Sequence, residues 1–132
     1  MSSSGVQVDE GVLKKYAQLK EGAYKWLIFK HSDDFKSIIY ESESGEDSRN
    51  YADFVRALTE SGEPRFAVNK WEKPDKVIYF AWIPDTAKMK LKLIATSSNE
   101  ELKTRLSPEI KVTANQLDDL NEEKINAKLA TH

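Results

Sequence analysis

Apolar residues recur along this chain at two spacings, and the changes from one to the other mark its elements. Val12, Leu13, Tyr16 and Leu19 fall three and four residues apart behind Asp9, a residue type that accepts the free N–H groups at a helix start. The spacing predicts a first helix there. Residues 25–30 (Lys-Trp-Leu-Ile-Phe-Lys) read as a strand, 31–36 as a turn and 37–40 as the returning strand of a hairpin. The acidic, serine-rich stretch 41–48 reads as a solvated loop, after which Asn50 caps a helix bearing Tyr51, Phe54, Val55 and Leu58. Beyond the break at Ser61, Gly62, Glu63 and Pro64, residues 65–68 and 77–83 read as two further strands. The second of these is apolar at every position, Val77-Ile78-Tyr79-Phe80-Ala81-Trp82-Ile83, with no alternation. Such a strand is covered on both faces, so helices are expected on both sides of the sheet.

Pro84 ends that strand, and Asp85 or Thr86 is the expected cap of a long helix reaching about Leu106. A short strand near 111–113 and a last helix over 119–129 complete the chain. The predicted class is α/β, a mixed central five-stranded sheet with helices on both faces. One domain is expected over residues 1–132, with residues 1–6 a flexible N-terminal arm.

The long helix carries the candidate chemistry. Leu91, Ile94, Ala95, Ser98, Leu102 and Leu106 recur at three- and four-residue steps and form its packing stripe. Lys88, Lys90 and Lys92 crowd its first turns, where the helix dipole already makes the potential positive and each cation costs roughly 0.3–1 kcal/mol. Two readings stand: lysines extending from an exposed helix into water, or a site for an acidic partner. Leu93 lies off the stripe among these charges, and an apolar anchor with charged neighbours is a common interface arrangement. The hydroxyls of Thr96, Ser97 and Ser98 are placed to bond back to carbonyls four residues earlier and to bend the helix.

Composition narrows the function classes. The 132 residues carry a net charge of −2, which argues against broad nucleic-acid affinity, since that affinity rests on excess lysine and arginine. There is no cysteine, which removes disulfides, thiolate nucleophiles and sulfur-ligated metals. The start, Met-Ser-Ser-Ser-Gly, lacks the pattern of a secretory signal, and no apolar run is long enough to span a bilayer; a cytoplasmic protein is expected. His31 falls in a hairpin turn and His132 ends the chain, so a Ser-His-Asp site is not expected. No phosphate-cradling glycine loop occurs. A protein without catalytic activity and without a cofactor or metal is expected.

The run Trp82-Ile83-Pro84-Asp85-Thr86-Ala87, continued by Lys88-Met89-Lys90-Leu91-Lys92-Leu93-Ile94-Ala95-Thr96-Ser97-Ser98, resembles the signature of the actin-depolymerising factor/cofilin family. That signature is Trp-x-Pro-acid-x-Ala, two alternating lysines, a large apolar residue and a Ser-Ser pair. Ser4-Gly5-Val6 and Gln18-Leu19-Lys20 resemble the family as well, so the similarity runs from Ser4 to about Leu129. The resemblance implies the ADF-homology fold, with two helices on each face of a mixed sheet. It also implies a monomeric, cytoskeletal protein that binds actin monomers, preferentially in the ADP form, and promotes filament depolymerisation and turnover. Ser4, Gly5, Lys90, Lys92, Leu93 and Ser97 are the implied monomer-binding residues, with Leu93 where methionine is usual. Ser4 matches the regulatory serine whose phosphorylation blocks actin binding in some members. Phosphoinositide lipids are implied as competing ligands of Lys88, Lys90 and Lys92.

The chain departs from the family where filaments are bound. Lys73, Lys76, Lys124 and Lys128 are the implied filament-binding residues, but Pro74 stands where a basic residue is common. Ala127 replaces an expected acid, and Thr131 a further base. Filament binding and severing are therefore expected to be weaker than monomer binding. Two alternatives remain: a module like glia maturation factor, acting on the actin-branching complex, and a phosphoinositide-regulated signalling protein.

Overall fold

Six strands form one sheet in the computed structural model, which describes residues 6–131. In chain order the elements are β1 (Gln7–Val8), α1 (Glu10–Lys20), β2 (Trp26–His31), β3 (Ser37–Glu43), α2 (Tyr51–Thr59), β4 (Arg65–Trp71) and β5 (Lys76–Trp82). After them come α3 (Met89–Leu106), β6 (Ile110–Ala114), a 3-10 turn (Leu117–Leu120) and α4 (Glu122–Ala130). The strand order is β1-β3-β2-β4-β5-β6. Its middle, β3-β2-β4-β5, is antiparallel, and both edge strands join in parallel.

The sheet has one strand more than the five expected. The addition is β1, which lies parallel to β3 with Gln7 opposite Ser37 and Val8 opposite Ile38. Val6 is only 5% exposed, so the packed chain begins inside the span expected to be a flexible arm. Two-residue strands carry no periodicity, and this one exists through its pairing with β3 rather than through its own sequence.

The caps expected at the first two helices form. Asp9 accepts from the Gly11 N–H at 2.9 Å and Asn50 from the Asp53 N–H at 2.8 Å. β3 continues through Glu43, beyond the hairpin read from sequence, and the final helix is split by the 3-10 turn.

Alternation along the strands divides the core in two. Leu27, Phe29, Phe66, Val68, Tyr79 and Ala81 point to one face and pack under α1 and α3. Trp26, Ile28, Ala67, Ile78, Phe80 and Trp82 point to the other and pack under α2 and α4. Tyr79, Phe80, Phe29 and Phe66 are fully buried, each worth on the order of 1.5–3 kcal/mol against exposure. β5 is thus covered on both faces, as its unbroken apolar run requires. The arrangement fixes α3 across the sheet with one side committed to the core and the other left to solvent.

Candidate functional site

On α3 the inward side consists of Ala95, Ser98, Asn99, Leu102 and Leu106, all buried, with Leu91 and Ile94 at its partly covered margin. The outward side is different in kind. Met89 is 65% exposed and Leu93 64%, and Lys90, Thr96 and Ser97 are exposed beside them. A helix gains nothing from showing two large apolar groups to water, so this is the strongest departure from an ordinary solvated face.

The helix starts later than expected. Neither Asp85 nor Thr86 caps it; the N-cap is Lys88, in extended backbone and with no side-chain cap. A turn closed by the Ala87 N–H on the Pro84 carbonyl at 3.0 Å carries the chain past both residues first. The first turn holds no acidic residue. Its free N–H groups and the lysines therefore add to one positive end. Lys88 and Lys90 stand exposed, whereas Lys92 folds back and donates to the Asp85 carbonyl at 3.1 Å.

Beneath the ridge, two polar pairs tie α3 to the sheet. Thr96 bonds back to the Lys92 carbonyl at 2.8 Å as expected, but Ser98 does not take part in such a bond. Its hydroxyl is fully buried and hydrogen-bonds to His31 Nε2 at 2.7 Å. His31 accordingly ends a strand rather than lying free in the hairpin turn. Its ring packs between Phe35 (5.9 Å) and Phe66 (5.6 Å). Burial, helped by the nearby Arg65 charge, holds its pKa below the ordinary histidine value. The Tyr79 hydroxyl donates to Asn99 Oδ1 at 2.5 Å, and burial pushes that phenol well above its usual range.

The residues read as a second, basic surface are placed unequally. Lys76 is bonded to Glu109 at 3.0 Å, and Lys124 to Asp118, which raises the Lys124 pKa. Lys128 is exposed in the last turn of α4. Lys73 is exposed in the β4–β5 turn and lines a groove of about 510 Å³ together with Lys25, Arg49, Trp71, Glu72 and Glu122. The Lys25 ammonium donates to Asn69 Oδ1 (3.0 Å) and to the Lys70 carbonyl and lies 5.2 Å from the centre of the Trp71 ring; burial lowers its pKa. Sequence reading missed Lys25 and Arg49 here. They reach the groove from different elements, and no linear spacing connects them with Lys73.

Ser4 and Gly5 lie outside the described residues. Among the described residues no group of three or more His, Cys, Asp or Glu is placed to hold a metal ion, and no helix is long and apolar enough to cross a membrane.

Residues 5–130 match the family of cofilin/tropomyosin-type actin-binding proteins. The cofilin of Ogataea parapolymorpha is 35% identical over 116 residues, covering 81% of this chain and 79% of that relative. The cofilin of Gibberella zeae is 31% identical over a 145-residue alignment covering 95% and 94%. Among solved structures, the Streptomyces griseoflavus cofilin superposes with a TM-score of 0.86 at 29% identity, over 96% of this chain and 98% of that one. With nearly its whole length matched in sequence and in fold, the chain belongs to the cofilin/ADF family of actin-binding proteins.

Proposed function

We propose that this protein binds actin monomers through the outward side of α3, with Lys90, Lys92, Leu93 and Ser97 as contacts, together with Ser4 and Gly5 of the N-terminal segment. The single observation that carries this reading is Leu93, 64% exposed on a helix whose opposite side packs into the core, with Lys90 exposed next to it. Apolar area left in water on a helix, with a cation beside it, suits a partner offering an apolar groove edged by carboxylates. The ADP-loaded monomer is the preferred form, and filament depolymerisation and turnover in the cytoplasmic actin cytoskeleton is the outcome. Phosphoinositide headgroups compete for Lys88, Lys90 and Lys92. Phosphorylation of Ser4 opposes actin binding by adding nearly two negative charges to a proposed actin contact.

Filament binding is the weaker activity. Two of the four basic residues available for it, Lys76 and Lys124, already hold acidic neighbours within the chain. Lys73 and Lys128 remain to carry it.

Replacing Lys90 and Lys92 together with alanine tests the reading. Native electrophoresis with ADP-actin monomers should show affinity reduced by about 1–3 kcal/mol, with the fold intact by circular dichroism. Unchanged affinity in the folded double variant would reject it.

A further inference from the structure

The β2–β3 turn brings an aromatic side chain to the same side of α3. Phe35 adopts a left-handed backbone (φ 59°), a conformation that favours glycine, asparagine or aspartate, and its side chain is 36% exposed. The turn itself has no need of the ring. Its hydrogen bonds are made by Ser32, Asp34 and backbone groups: Ser32 Oγ donates to Asp34 Oδ1 (2.7 Å), the Lys36 N–H donates to the same oxygen (3.0 Å), and the Phe35 N–H donates to the Ser32 carbonyl (2.9 Å). An asparagine would satisfy the same backbone at less cost.

What the ring does instead is form a wall. With Leu93, Ile94, Ser97, Ser98 and Val6, Phe35 encloses a groove of about 270 Å³, and on its inner side it rests against His31 at 5.9 Å. Leu93, the exposed anchor of the α3 ridge, lines the same groove. The groove is therefore continuous with the surface assigned above to actin, and it has room for one apolar side chain.

We infer that Phe35 is a further actin contact, closing with Leu93 on an apolar side chain of the actin monomer. This assignment rests on the α3 reading and extends its apolar area from a single leucine to a leucine and an aromatic ring, the second supplied by a strand turn rather than by the helix. The ring already rests on His31 before binding, so little freedom is lost on docking.

The test uses Phe35→Asn, which suits the left-handed backbone and keeps the turn, with Phe35→Leu as the conservative counterpart. Phe35→Asn should weaken binding to ADP-actin monomers about tenfold, while Phe35→Leu should stay within about threefold. Melting temperatures read by circular dichroism should show both variants folded. Phe35→Asn binding within twofold of the parent, alongside a weakened Lys90→Ala/Lys92→Ala chain, would overturn the role of Phe35 and leave the α3 reading standing. If neither variant weakens binding, the α3 reading itself fails and takes this inference with it. Self-association of the parent in sedimentation that Phe35→Asn abolishes would assign the groove to a second copy of this chain and also overturn the inference.

Discussion

His31 at the end of β2 and Ser98 in the middle of α3, 67 residues apart in sequence, meet side chain to side chain at 2.7 Å. Burial of the His31 ring at this contact makes the seating of α3 sensitive to acid. A neutral imidazole nitrogen either donates to or accepts from the serine hydroxyl, whereas the protonated ring only donates and brings a charge toward Arg65 in a partly dry site. The native pKa is depressed, so the unfolded chain takes up the proton first as pH falls. Stability is then full above the ordinary value of 6.5 and declines below it until the native ring also protonates. Urea midpoints measured between pH 5 and 8 should fall on the acid side, with a slope of at most one proton, about 1.4 kcal/mol per pH unit. A His31→Gln chain should lose that part of the slope; an unchanged acid limb would assign it elsewhere.

Tyr79 and Asn99 form the companion pair on the same side of the sheet. Both are buried, and the phenol donates a hydrogen bond to the Asn99 side-chain oxygen. Tyr79→Phe keeps the ring and removes only that donor, leaving a buried acceptor unmet. Chemical denaturation should show a loss of about 1–3 kcal/mol. Because burial keeps the phenol protonated well above its usual range, this contribution should not change between pH 6 and 9.

Two tryptophans offer an internal contrast. Trp26 Nε1 donates to the Ser48 carbonyl at 2.9 Å, whereas Trp82 Nε1 is buried and finds no protein partner among the described residues. Trp82→Phe should therefore cost less than Trp26→Phe, by about 1 kcal/mol or more in denaturant titration, although both lose similar volume. Equal losses would indicate that volume alone governs both sites.

How much of this was legible follows from how far each signal reaches along the chain. Asp9 and Asn50 could be read as caps because their partners lie two or three residues away. The unbroken apolar run of β5 announced its two covered faces for the same kind of reason. The end of β3 was read as loop because Glu41, Ser42 and Glu43 look solvated in sequence. In the fold Glu41 bonds Arg65 at 3.0 Å and Glu43 bonds Lys15 at 2.6 Å, partners 24 and 28 residues away. His31 was misplaced by the same distance effect, since Ser98 and Phe66 become its neighbours only after α3 and β4 are in position. In the site, the exposed leucine and lysines of α3 stood out by their spacing, while Phe35 and Arg49 carried no such mark.

The sheet also acts as a partition. α1 and α3 share one half of the core and α2 and α4 the other, with strand side chains committed to one half or the other in turn. A change of residue around the Lys73 groove is therefore absorbed by a different set of packed neighbours from those that hold Leu93. On the proposed assignment, substitutions at the one surface can accumulate without disturbing the other, because the two rest on separate foundations.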